Sequence, residues 1–180
     1  RQKGDALQAQ KTADGLTYAG RPAEALAAVE GLSDHTRWGG MARLLPTQRF
    51  VPQVLARVTQ SRAHALTQLC RADEAVELLT DADTAERLAR IAELVPSWKG
   101  DYDTILSHAR AESGDPQAAL AHALRAYAAT RDAGIAWGRA WAALNAGTAH
   151  SRMGELDAAA EWYERAIDLA RSCNLVDCER

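Results

Sequence analysis

Residues 137–171 read WGRAWAALNAGTAHSRMGELDAAAEWYERAIDLAR, and their spacing decides the fold. Gly147 and Ala149 belong to one apolar run, Gly154 and Glu155 interrupt it, and Leu156, Ala159, Tyr163, Ala166, Ile167 and Ala170 then return at intervals of three and four residues. Such intervals place each set on one stripe of an α-helix, so the segment predicts two helices joined by a tight turn. Two helices approach closely only where the residues at their crossing are small. Here the small positions alternate with a single aromatic, Tyr163, which fills the remaining gap.

The run Gly147, Gly154, Ala159, Tyr163, Ala166 resembles the tetratricopeptide repeat, whose signature is a small residue in the first helix, a turn glycine, and then Ala, an aromatic and Ala along the second. It departs from the family at Ala143, where Trp is common, at Ala146, where Leu is common, and at Arg171, where Pro is common. The resemblance implies an all-α fold of antiparallel helical hairpins, stacked as a right-handed superhelix of about four repeats.

Outward from this pair the same grammar recurs. Gly20, Pro22 and Ala25 repeat the turn and the spacing of Gly154 and Ala159, which predicts a first pair over 5–32. An irregular insert follows at 33–52, punctuated by Gly39, Gly40, Pro46 and Pro52 around a helical turn packed by Trp38. The second pair spans 53–95, with Cys70 in the place of the turn glycine and Asp73-Glu74-Ala75-Val76 opening the second helix. The apolar period persists from residue 72 to Val95, but Asp83 and Glu86 have the form of a capping box, so a break with a restart at Asp83 is expected. The third pair, 101–133, turns at Gly114-Asp115-Pro116, where Asp115 is placed to cap the next helix and Pro116 to occupy its first turn. The fourth pair covers 136–172, and the residues from Asn174 onward read as a frayed tail. Ala25, Ala75, Ala119 and Ala159 mark equivalent places 50, 44 and 40 residues apart. The family period is about 34, so the repeats are enlarged, like those of the regulatory arrays in bacterial signalling ATPases and transcription activators. Residues 1–180 are thus expected to form one repeat domain.

Composition agrees. Apolar residues make up 47% and aromatics only 6%, with the strong helix former alanine dominant, and no alternating run signals a strand. The net charge of −3, with no basic surplus gathered on one face, argues against direct nucleic-acid binding. Cys70, Cys173 and Cys178 are odd in number and unclustered, as free thiols of a reducing cytoplasm would be. No stretch approaches the roughly 20 apolar residues of a membrane span. The polar opening Arg1-Gln2-Lys3-Gly4-Asp5 does not resemble a signal peptide, and Arg1 is not an initiator Met, as in a piece of a longer protein.

Candidate chemistry starts from the five histidines, yet no His-Glu-x-x-His, Gly-x-Ser-x-Gly, phosphate-binding loop or Gly-x-Gly-x-x-Gly occurs, which argues against catalysis and against a cofactor. In the family's geometry one place in each first helix faces the concave surface, and here it holds Asp14, His64, His108 and Thr148 in turn, with Trp141 and Leu144 beside the last. That polar ladder reads either as a recognition surface or as ordinary solvated side chains. Zinc binding by His64 and His108 lacks further ligands. The stripe Trp137, Trp141, Leu144 reads as core more readily than as a site, and Trp162 falls on the outer side of its helix. Gln10, Gln60 and Thr104 stand where some family members carry the basic and amide groups that grip a peptide's terminal carboxylate, which argues against that mode. The expected function is a non-enzymatic scaffold whose groove, lined by Asp14, His64, His108, Trp141, Leu144 and Thr148, takes a protein or peptide, with self-association at an uncapped end. The alternatives are a domain that senses a small molecule in the same groove and a structural oligomerisation module.

Overall fold

Turns of one kind connect the helical hairpins. The computed structural model describes residues 2–30, 50–94, 98 and 100–173, and within them five helix ends close on a residue with positive φ: Gly20, Cys70, Gly114, Gly134 and Gly154. After each, the next N–H reaches back to the last helical turn, from Arg21 to Leu16 O at 2.8 Å, Arg71 to Leu66 O at 2.9 Å, Asp115 to Arg110 O at 2.9 Å, Ile135 to Thr130 O at 2.8 Å and Glu155 to His150 O at 3.0 Å. This closure satisfies helix carbonyls that would otherwise lack partners and reverses the chain. Cys70, at φ 58°, occupies the place of a glycine in structure as well as in sequence.

Nine α-helices are described: α1 Gln2–Tyr18, α2 Pro22–Glu30, α3 Phe50–Gln68, α4 Ala72–Thr80, α5 Ala82–Leu94, α6 Asp101–Glu112, α7 Pro116–Asp132, α8 Ala136–Arg152 and α9 Leu156–Ser172. No strand occurs among the described residues. The fold is all-α, built of antiparallel hairpins, as the sequence implies. The insert expected over 33–52, with Trp38, lies outside the described residues as far as 49, but its last three residues are helical: Phe50, Val51 and Pro52 form the first turn of α3, where a proline needs no N–H partner; the tail at 174–180 lies outside the described residues.

The chain divides into two compact units, Arg1–Leu94 and Val95–Arg180. In the first, α1 pairs with α2 and α3 with α4, while α3 also packs on α1, α2 and α5. In the second, α6 pairs with α7 and α8 with α9, while α8 also packs on α7 and α6. The four alanines marking equivalent places are all buried, Ala25, Ala75 and Ala119 completely. Cores of this kind are close-packed through small side chains, and the large apolar residues fully inside are few: Val29, Val58, Leu79 and Leu106. Each contributes about 1.5–3 kcal/mol by its burial.

Asp115 caps α7, its carboxylate accepting the Ala118 N–H at 3.1 Å, with Pro116 in the first turn as expected. The break after α4 is also present, but its cap is Asp81 and not Asp83. Asp81 leaves the helix with φ −53° and ψ 131°, and its side chain accepts the Thr84 N–H at 3.0 Å, so the helix is already under way at Ala82 and Asp83 lies inside it.

Candidate functional site

Helix α8 hides its small residues and shows its large ones. Ala140, Ala142, Ala143, Ala146, Gly147 and Ala149 are buried, whereas Trp137, Trp141 and Leu144 are 43%, 42% and 37% exposed. The expectation that this stripe is core is therefore corrected. Three neighbours, α6, α7 and α9, all meet α8, and each close crossing requires a small residue, so the bulky ones are turned to the remaining side. Spaced by four and three residues, Trp137, Trp141, Leu144 and then Thr148 form one continuous line on the helix.

Helix α6 runs beside this line and is tied to α8 at two points. The Asn145 side-chain amide donates to Thr104 O at 2.8 Å, and Arg152 Nη2 meets Glu112 Oε1 at 2.5 Å. Asn145 is itself buried, so its hydrogen bond both satisfies it and fixes the register of the two helices. One turn before Glu112 stands His108, half-buried. Burial pushes its pKa below the ordinary imidazole value, the Glu112 carboxylate opposes that shift, and the Arg152 guanidinium reinforces it. His108 is thus neutral near pH 7. Thr148 is half-buried and donates its hydroxyl to Leu144 O at 3.0 Å.

The six expected groove residues fall in two groups. His108, Trp141, Leu144 and Thr148 lie on the packed pair α6 and α8 in the second unit, and Asp14 and His64 on the packed pair α1 and α3 in the first. Asp14 is a strut as much as a surface group, accepting from Ser61 Oγ at 2.5 Å across to α3 and from Gln10 Nε2 within α1. His64 is half-buried on α3. Asn145 and the Glu112–Arg152 pair, which hold the second group in place, were not anticipated, although a lone amide in an alanine-rich helix was a signal for the first.

Trp162, expected on the outer side of its helix, is instead half-buried against α7. Its ring meets Tyr127 edge to face, with centroids 5.2 Å apart and planes at 83°. The Arg165 guanidinium lies 4.6 Å above the Trp162 ring and that of Arg139 lies 5.6 Å above Tyr127. An open recess of about 610 Å³ adjoins this stack, bounded by Tyr127 and Arg139 on one side and by Glu161, Glu164, Arg165 and Asp168 on the other. Among the described residues no group of three or more His, Cys, Asp or Glu is placed to hold a metal ion, and no helix is long and apolar enough to cross a membrane.

Residues 99–172, the span of α6 to α9, match the family described as Tetratricopeptide repeat. No curated protein matches the chain.

Proposed function

Because residues 99–172 belong to the tetratricopeptide repeat family, whose members act in protein interaction, we propose that the chain is a non-enzymatic scaffold that holds a segment of a partner protein along the Trp137–Trp141–Leu144 line of α8. The observation that carries this reading is the exposure of two tryptophans and a leucine on a helix whose every other face is packed. Large aromatics on a rigid support are strong anchors for a partner, since they offer much contact area and lose little conformational freedom on binding. Thr148, whose hydroxyl oxygen can still accept, would help orient the segment, and we place His108 with it as a contact. In the first unit Asp14 and His64 hold the matching places, and we assign them the same part there; the Asp14 carboxylate has capacity for donors beyond Ser61 and Gln10.

We further propose that residues 1–180 form one repeat domain acting in the cytoplasm as an arm of a bacterial regulatory protein. The exposed free thiol of Cys70 suits a reducing compartment, and the excess of 18 arginines over three lysines suits a GC-rich bacterial source. A displayed peptide library selected on the intact chain, with each hit titrated by tryptophan fluorescence, tests the reading. Hits should bind Trp141→Ala at least about tenfold more weakly than the wild type, as loss of an anchor requires. Hits that bind wild type, Trp137→Ala and Trp141→Ala alike would remove the stripe from the site.

A further inference from the structure

Among the described residues three carboxamide side chains are buried, and two of them are paired: Gln10 donates to Asp14, and Asn145 donates to Thr104 O. The third, Gln60 of α3, is only 6% exposed, yet its side chain makes no hydrogen bond to a described residue. The small area it keeps includes the amide tip, since neither polar atom is sealed from solvent. An amide withdrawn from bulk water without a partner destabilises a fold, and native chains keep such a group where water or a ligand completes it.

The register of the helices places this amide on a groove. With Ala75 and Ala159 as equivalents, Ser61 of α3 takes the place of Asn145 of α8. Asn145 ties α8 to α6, and Ser61 ties α3 to α1 by donating to Asp14 at 2.5 Å, so α3 stands to α1 as α8 stands to α6. Gln60 then takes the place of Leu144, on the line that α8 leaves open, and His64 takes that of Thr148. On α1 the same two places hold Gln10 and Asp14. Where the second unit offers an apolar line, the first therefore offers hydrogen-bonding groups: an uncommitted carboxamide, and a carboxylate whose two oxygens have each accepted once, from Ser61 and from Gln10.

We infer, resting on the scaffold reading, that this face of the first unit takes the main chain of an extended partner segment, with the Gln60 carboxamide donating to a peptide C=O and accepting from a peptide N–H. A carboxamide carries one carbonyl and two N–H donors without charge, so it matches a peptide unit at two points. Each Asp14 oxygen has a lone pair left for a further peptide N–H. The segment has to be extended, because a helix uses up its own main-chain groups.

Peptides selected on the intact chain test this from both sides. For each hit, versions with one backbone N–H after another replaced by an ester oxygen are titrated against the wild type and against Gln60→Leu, which installs the residue that α8 carries at this place. One ester position should weaken binding to the wild type about fivefold, as loss of a single hydrogen bond requires, and leave binding to Gln60→Leu unchanged. Gln60→Leu should bind the unmodified hit at least about fivefold more weakly while its urea midpoint rises, because an amide without a partner gives way to an apolar side chain of similar size. A lower midpoint would mean that the amide is paired within the fold, hits that bind Gln60→Leu as they bind the wild type would leave the amide to water alone, and an ester scan with no position coupled to Gln60 would exclude the main chain; each overturns the proposal. Hits weakened by Trp141→Ala but not by Gln60→Leu would overturn it and leave the scaffold reading standing, whereas a library without a hit on the wild type would remove both.

Discussion

Gly147 on α8 stands so close to Tyr163 on α9 that a methyl group added to the glycine would lie 2.6 Å from the ring's Cδ1. The absence of a side chain at this crossing is therefore what lets the aromatic close the hairpin. Gly147→Ala gains about 1 kcal/mol of helix propensity but forces a half-buried ring to shift, at about 1–3 kcal/mol, so overpacking wins. Urea denaturation should show a loss of up to about 2 kcal/mol, and Ala159→Leu, at the neighbouring crossing, should lose about as much or more. A Gly147→Ala protein more stable than the wild type would contradict the crossing.

Cys70 holds φ 58° in a turn whose four counterparts are glycines. A left-handed conformation costs a residue with a Cβ about 1–2 kcal/mol, while glycine loses about 0.4–1 kcal/mol more backbone freedom on folding. The first exceeds the second, so Cys70→Gly should stabilise the first unit by about 0.5–1 kcal/mol. Its urea midpoint checks this, and a destabilised variant would show that the cysteine side chain has a role in the folded turn.

What the sequence reveals follows from how local each signal is. The Gly114-Asp115-Pro116 turn and the alanines 25, 75, 119 and 159 are legible because caps and helical periods involve residues within one or two turns. The choice between Asp81 and Asp83 as cap is not, since both residue types suit the role and only the backbone conformation of Asp81 selects it. The line Trp137, Trp141, Leu144 is misread because tryptophan usually lies inside, and its exposure here depends on three separate helices claiming the small residues of α8. Asp14 is legible as a polar residue of a first helix, but its bond to Ser61 joins residues 47 apart in the chain, beyond any local pattern.

His108 gives the second unit an acid sensitivity. Burial is the main influence holding its folded pKa below the reference of 6.5, so the unfolded chain takes up a proton at a higher pH than the folded one does. Well above pH 6.5 both states are neutral at this site and it contributes nothing to the pH dependence; as the pH falls below 6.5 the unfolded state is favoured, until the folded pKa is passed. Urea midpoints measured from about pH 7.5 to about pH 5 should therefore decline less steeply for His108→Gln than for the wild type. Parallel declines would mean that the two states bind the proton equally.

The two kinds of tryptophan on α8 and α9 should separate binding from stability. Trp162 is packed edge to face on Tyr127 and covered by Arg165, so Trp162→Ala loses both buried area and the ring pair, about 1–3 kcal/mol for a half-buried side chain. Trp141 is 42% exposed on a helix held by its opposite faces, and Trp141→Ala should cost at most about 1 kcal/mol. Against any peptide that the wild type binds, the order should reverse: Trp141→Ala abolishes or strongly weakens binding, while Trp162→Ala, measured at a temperature where it remains folded, changes it little. Equal stability losses would mean that the Trp141 ring is as much a part of the packing as the Trp162 ring. A binding defect confined to Trp162→Ala would move the site from the exposed line of α8 to the recess beside Tyr127.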